Sequence, residues 1–380
     1  MHRRLNGPSI MPTGNATNIS KENVKTYDFM KASIFVRKTA TVTSIALLVL
    51  GGAGIVSGPA GLWLSPVERL THFRFYWLGL LAALMVWWLA RRAWRLLTAG
   101  MLLIIGGALP LLDYYHSPLN PEPVRAGPAP AVPALKVISF NVLSKNTRRG
   151  EVMEWLKAER ADLILLTEFN WHWERALAKA GGSQWPHRIV CPRNGAAGIC
   201  LLSRYPMESP DPEGIAENEP HPWISTLIHG PGGDFRVIGM HPRTPRGGFR
   251  FVQRNRQLDH AASMASASPL PVLLMGDLNC TPFSPWFSRL LKRGGLRDSG
   301  EGFGLPPTWR SGVWFLPIDH LLISKHWRTL DRCVHTGDLG SDHRPLIGLL
   351  ALSPKQPLKS LFPLASRHRS DSCPESLSGR

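Results

Sequence analysis

The chain opens with three apolar stretches set close together. The first runs from about Thr39 to Leu64, the second from Phe75 to Ala90 and the third from Leu96 to Leu112. A membrane-spanning helix needs roughly 20 apolar residues, with a range near 17 to 25. The first stretch meets that length, and the other two sit near its lower end. Trp77, Trp87, Trp88 and Trp94 stand near the ends of the second, where amphipathic aromatics prefer the interface. Between Lys38 and Arg91 the only charged residues are Glu68, Arg69 and Arg74, all in one short loop. Buried helices of a soluble domain fit this pattern less well. So does a cleaved leader, which covers one stretch and leaves two.

Ser117 to Pro133 holds six prolines and little that forms a core. It predicts an extended spacer that lifts a soluble domain off the membrane. Beyond it, short apolar runs alternate with amphipathic segments. Leu135–Phe140, Asp162–Thr167, Ile199–Ser203, Trp223–His229, Phe235–Met240, Pro271–Met275, Ile318–Ile323 and Leu346–Leu352 read as strands. Gly230-Pro231-Gly232-Gly233 is a hairpin signal between two of them. Arg149–Glu159, Arg250–Ser266 and Pro285–Arg293 read as helices. Strands outnumber helices and the pairings look mixed. The expected fold is therefore α/β: a two-sheet β-sandwich flanked by helices, four layers α/β/β/α, preceded by a transmembrane helical anchor. The expected organisation is a cytoplasmic segment 1–38, three transmembrane helices in 39–112, a Pro-rich linker 113–134, a soluble domain 135–352 and a disordered tail 353–380.

Composition adds to this picture. Hydrophobic residues make up 44% of the 380, which excludes a wholly disordered chain. The first 120 residues hold 12 Lys/Arg against 4 Asp/Glu, about half of the net +17, although they include the most apolar stretches. That is a membrane signature before it is a nucleic-acid one. Arg3, Arg4, Lys21, Lys25, Lys31, Arg37 and Lys38 precede the first span, and Arg91, Arg92 and Arg95 fill the second hairpin. The loop between spans one and two has only Arg69 and Arg74, offset by Glu68. The basic flanks belong inside, so three crossings place everything after residue 112 outside the cytoplasm. Five cysteines are too few for a disulfide scaffold, and no CxxC pair suggests zinc. Cys191 and Cys200 flank Asn194-Gly195, a hairpin signal, so a disulfide across the ladder and a pair of buried thiols both remain open.

Polar groups fall at the strand ends. Asn141, Glu168 and His241 each end an apolar run. Asp277 and Asn279 end another, in Gly276-Asp277-Leu278-Asn279, and Asp319-His320 and Asp342-His343 flank the last two. One acid after a strand is usually a turn residue or helix cap. Six such placements of carboxylates, amides and imidazoles point to chemistry held on loops. The order N…E…H…GDxN…DH…SDH resembles the endonuclease/exonuclease/phosphatase superfamily over about residues 135–352, and its membrane-anchored bacterial branch in particular. Leu202-Ser203-Arg204-Tyr205-Pro206 and Thr308-Trp309 support the likeness.

The resemblance implies a divalent-metal-dependent phosphoester hydrolase using Mg²⁺ or Mn²⁺. Glu168 and Asp342, with Asn141 nearby, are the implied ligands, since hard cations take oxygen donors. Asp277 is the implied base or aligner of the attacking water, and Asn279 would hold the water and phosphate. His343 and His241 would contact the scissile phosphate, and Asp319 would orient His343. His320 and Cys280 read as structural. Arg243, Arg246, Arg250, Arg254 and Arg256 form either an electropositive rim or a solvated helix face. The substrate stays open among nucleic acid, phospholipid and a small phosphate ester. The other expected partner is the lipid bilayer, through the N-terminal spans; no obligate protein partner is inferred. The branch implies a bacterial inner membrane with the domain on the periplasmic side. The competing reading is a membrane-tethered binding or scaffold protein that keeps the fold without catalysis.

Overall fold

A computed structural model describes residues 16–56, 58–116 and 133–352. The expected tail and most of the expected linker lie outside the described residues. The N-terminal part is helical: α1 (Ala16–Val56), a short 3-10 turn (Pro59–Leu62), α2 (Ser65–His72), α3 (Arg74–Ala90), α4 (Trp94–Ala108) and α5 (Leu112–Tyr115). The first apolar stretch does not stay helical to Leu64. Pro59, which cannot donate a helical hydrogen bond, opens a separate turn. α1, α3 and α4 pack together through small residues that let the backbones approach. A Cβ on Gly100 would sit 2.8 Å from the Trp88 ring, and one on Gly51 would sit 3.3 Å from Leu81. Trp88 Nε1 donates to Ser44 Oγ at 3.2 Å. Two helices, Lys25–Val56 and Trp94–Tyr115, are long and apolar enough to cross a membrane. α2 and α3 together make a third if their 68° bend is one broken span.

The remaining elements are β1 (Ala134–Asn141), α6 (Arg149–Glu159), β2 (Leu163–Thr167), α7 (Trp171–Ala180), β3 (His187–Cys191), β4 (Ile199–Ser203), α8 (Pro212–Ile215), β5 (Trp223–Gly230) and β6 (Gly233–Met240). After them come α9 (Gly248–Ala267), β7 (Val272–Asp277), α10 (Pro285–Gly294), β8 (Leu296–Asp298), β9 (Trp309–Ser311), β10 (Trp314–Leu316), β11 (Asp319–Ser324), β12 (Trp327–Val334) and β13 (Leu346–Leu352). One sheet has the order β12-β13-β1-β2-β4-β3, a second β5-β6-β7-β11-β8, and β9 and β10 form a hairpin. β1/β2 and β6/β7 are parallel; the other pairings are antiparallel.

Both faces of the central strands are buried, which explains their near-continuous apolar runs. Leu163 and Leu165 of β2 face the second sheet, packing with Val237, Leu273 and Leu321. Ile164 and Leu166 face outward onto Leu156 of α6 and Trp173 and Leu177 of α7. On the far side, Leu258 and Ala262 of α9 and Phe287 and Leu290 of α10 cover Leu274 and Leu322. The four layers are α/β/β/α, as the alternation of apolar runs and amphipathic segments predicts.

One question that the sequence leaves open is decided, and one expectation is corrected. Cys191 and Cys200 are free thiols, not a disulfide. The register pairs Cys191 with Ile199 and Cys200 with Val190. Adjacent residues of a strand face opposite sides, so Cys191 enters the inter-sheet core and Cys200 the outer layer. The domain is also not lifted clear of the N-terminal helices. Tyr114 of α5 is buried and donates to Asp298 Oδ2 at 3.2 Å, and the Gly302 and Gly304 amides donate to the Asp113 and Tyr114 carbonyls.

Candidate active site

The topology brings six distant segments to one edge. β1 and β2 are parallel and end there, with Asn141 last in β1 and Glu168 directly after β2. β13 runs antiparallel to β1, so Asp342 and His343, which precede it, arrive at the same edge. In the second sheet β6 and β7 are parallel, placing His241 and Asp277 side by side at their ends. β11 runs back against β7, and its first residue, Asp319, is the cross-strand partner of Asp277. Gly276 makes this close approach possible. Its φ is +142°, and a Cβ there would stand 1.9 Å from the Met240 carbonyl oxygen.

Glu168, His241, Asp277, Asn279, Asp342 and His343 line one cavity of about 480 Å³. Asn141 and Asp319 are buried behind it and hold its lining. Asn141 Nδ2 donates to Glu168 Oε1 at 3.2 Å and to Asp277 Oδ2 at 3.1 Å, joining the two sheets. Ser144 N–H donates to Glu168 Oε2 at 3.0 Å. Glu168 itself has φ +58°, a sparsely populated conformation for a residue with a Cβ. Strain of this kind persists where surrounding bonds over-determine the geometry. Asp319 Oδ2 lies 2.8 Å from His343 Nδ1, and Asp277 Oδ2 lies 3.5 Å from His343 Nε2 and 3.3 Å from His241 Nε2. Asn279, at φ +49°, gives its N–H to Asp277 Oδ1 at 2.9 Å and its side-chain amide to the Pro242 carbonyl. Trp309 Nε1 donates to Asp342 Oδ2 at 3.0 Å.

Burial opposes charge on all three central groups, but their partners outweigh it. The carboxylates of Asp319 and Asp277 hold the His343 imidazolium up to about 10. Asp277 likewise raises His241. His343, His241 and the Asn279 N–H hold Asp277 well below the usual carboxylate range.

All eight residues expected from the sequence come together here. His320 does not join them: it lies on the other face, its Nε2 2.8 Å from the Cys280 carbonyl. The expected basic cluster divides. Arg246 lines the cavity, whereas Arg254 is fully buried in an ion pair. Arg69, His72 and Phe73, from α2 and its end, also line the cavity. Nothing local to them in the sequence points to a site built from residues between Asn141 and His343.

The tightest group of possible ligand atoms among the described residues is Asp277, Asp319 and His343, all within 4.8 Å of one another. Within it His343 bridges the two carboxylates, 2.8 Å from Asp319 Oδ2 and 3.5 Å from Asp277 Oδ2. Glu168 and Asp342 add carboxylate oxygens to the same cavity, and Asp319 Oδ1 is buried without a hydrogen-bond partner. Asn141 turns its Nδ2 to Glu168 and Asp277 and its Oδ1 to the Leu143 N–H. Four carboxylates face two imidazoles, and the guanidiniums of Arg69 and Arg246 line the same cavity. Carboxylate oxygens are the donors that a hard divalent cation takes.

The model of the Endonuclease/Exonuclease/phosphatase family matches residues 138–343. No curated protein matches the chain. Among solved structures, the chain is similar to an endonuclease/exonuclease/phosphatase from Beutenbergia cavernae (19% identity, covering 58% of this chain and 72% of that one, TM-score 0.46). It is also similar to a 3′ phosphatase from Neisseria bound to a product DNA hairpin (19% identity, 56% and 98%, TM-score 0.46). A third is sphingomyelinase C from Streptomyces griseocarneus (17% identity, 57% and 99%, TM-score 0.42).

The raised His343 pKa makes a prediction for the metal-free protein. A group whose pKa rises on folding contributes stability that is complete below its unfolded value, about 6.5. That contribution is lost as pH climbs through about 10. NMR titration should find the His343 ring still protonated at about pH 8. Asp319→Asn should move its titration to lower pH. A wild-type ring that titrates near about 6.5 contradicts the proposed coupling.

Proposed function

The chain belongs to the endonuclease/exonuclease/phosphatase family, and from that premise we propose that it is a membrane-anchored, divalent-metal-dependent phosphoester hydrolase. The observation that carries this reading is the bonded series Asp319–His343–Asp277–His241, tied to Glu168 through Asn141 at the floor of one cavity. A phosphoester resists attack because its oxygens are negative. A hydrolase must neutralise that charge, place a water in line and steady the leaving oxygen.

Glu168 and Asp342, with Asn141 beside them, would hold Mg²⁺ or Mn²⁺. When bound, the ion supplies Lewis-acid neutralisation of the phosphate oxygens. Asp277 stays ionised because its neighbours hold its pKa so low. A carboxylate held that low is a weak base, so its role is to align the attacking water rather than to retain its proton. Asn279, fixed by its N–H bond to Asp277, presents polar atoms beside that water. The His343 imidazolium donates to a phosphate oxygen, and Asp319 sets its ring orientation through Nδ1. His241 brings a second imidazole to the same oxygens. These groups are held before substrate arrives, so little reorganisation opposes the reaction.

The proposed setting is a bacterial inner membrane, with α1, α3 and α4 crossing and the domain on the periplasmic side. Two features support it. Basic residues lie away from the contacts with the domain, Arg37 and Lys38 midway along α1 just before its apolar half, Arg91 and Arg92 between α3 and α4, and Arg95 in the first turn of α4. In contrast, α2 and α5, at the opposite ends of those helices, touch the domain. The proposed boundaries remain 1–38, 39–112, 113–134, 135–352 and 353–380.

Purified full-length protein should hydrolyse bis-p-nitrophenyl phosphate only with Mg²⁺ or Mn²⁺. Asp277→Ala and His343→Ala should each lower kcat by about 100-fold or more. Equal background turnover in all three proteins would favour a tethered binding protein. A second experiment reads the topology: a C-terminal alkaline phosphatase fusion should be active and a C-terminal fluorescent protein dark. The reverse pattern would place the domain in the cytoplasm.

A further inference from the structure

Helix α2 connects two of the apolar helices, yet it is built into the domain. Glu68 and Arg254 are both fully buried, and Arg254 Nη2 donates to Glu68 Oε1 at 2.6 Å. Ser284 Oγ donates to the same oxygen at 2.6 Å. Losing one partner of such a pair leaves an uncompensated buried charge, so the contact holds its two sides firmly together. The pair also reaches the catalytic loop. Arg254 Nη1 donates to the Asn279 carbonyl at 3.3 Å. One turn along α2, His72 Nδ1 lies 3.0 Å from Thr281 Oγ1. Asn279 sits two residues after Asp277 in a left-handed conformation, φ +49°. A backbone in that region needs external support, and α2 supplies part of it.

The same helix presents a cation to the cavity. Arg69 is exposed and lines the cavity together with Asp277, Asn279 and His343. Among the described residues its guanidinium has no ion pair and no hydrogen bond. A planar fork of N–H donors with no protein acceptor, at the mouth of a phosphoester site, suits phosphate oxygens. The facing wall also hangs on the helices. Tyr76 of α3 donates its O–H to the Val313 carbonyl at 3.0 Å and accepts from the Phe315 N–H at 2.7 Å. This clamps the β9–β10 hairpin, whose Trp309 bonds Asp342.

We propose that the N-terminal helices are a working part of the active site. The Glu68–Arg254 pair is a positioning device for the 279–281 loop. Arg69 is a specificity-determining residue that binds an anionic phosphate oxygen of the substrate at the cavity mouth. The inference rests on the phosphoester-hydrolase reading above.

The test uses full-length protein in detergent, Mn²⁺ and bis-p-nitrophenyl phosphate. Arg69→Ala should raise KM about tenfold with kcat nearly unchanged, the signature of lost uniform binding. Arg69→Lys should recover part of the loss, because it keeps the charge but not the fork. Lys325→Ala, in an exposed turn, should behave as wild type. Glu68→Gln should lower kcat about tenfold or more. The double variant Glu68→Leu/Arg254→Met removes both charges at once, so its melting temperature should return toward wild type. Its kcat should stay low, because the link to the Asn279 carbonyl is gone. A purely structural pair would restore both together. The inference is overturned if Arg69→Ala leaves KM unchanged, or if the folded double variant turns over like wild type. Wild type without metal-dependent turnover overturns the hydrolase reading, and this inference with it. Active wild type with indifferent variants overturns this inference alone.

Discussion

Four carboxylates, Glu168, Asp277, Asp319 and Asp342, are brought to one small region, and the rest of the site follows from how their charge is balanced. Like charges this close disfavour ionisation unless something opposes them. Part of the balance is internal. His343 bridges Asp319 and Asp277, His241 approaches Asp277, and the Asn141 amide joins Asp277 to Glu168. Around them Arg69 and Arg246 line the cavity, and under the proposed function a divalent cation would offset the carboxylates and let an anionic substrate approach. Protonation state, donor chemistry and substrate charge are therefore one problem rather than three.

The sheet topology is what makes the crowding possible. Parallel β1/β2 and β6/β7 deliver their C-terminal ends to one edge, and antiparallel β13 and β11 deliver their starts there. That much was legible in the sequence. Arg149–Glu159, Ile199–Ser203 and Leu346–Leu352 agree with the observed helix and strands to the residue, because their apolar spacing has one reading. The polar residue after each apolar run marked the site for the same reason: a buried strand leaves few places for a carboxylate.

Other parts were not legible. β9 and β10 are three-residue strands with exposed side chains, too short for alternation to register. β12 carries a bulge between Thr329 and Asp331 that breaks the period of two. The Cys191/Cys200 register depends on the length of a loop rather than on the Asn-Gly signal inside it. Arg254 read as one of several surface arginines, because its partner, Glu68, lies 186 residues away. Burial of a charge is a tertiary property, and no local pattern announces it. The same holds for Arg69 and His72, whose place beside the site comes from how the helices dock.

The proposed function rests on a cation site that Asn141, Glu168 and Asp342, all at the edge of the six-stranded sheet, would form. The most direct measurement is Mn²⁺ binding to the full-length protein, followed by electron paramagnetic resonance, with wild type compared against Glu168→Gln. The account predicts saturable binding in wild type that is lost in Glu168→Gln while the melting temperature of the metal-free protein is kept. Wild type that binds no Mn²⁺, or a variant that binds it as tightly as wild type, would contradict it.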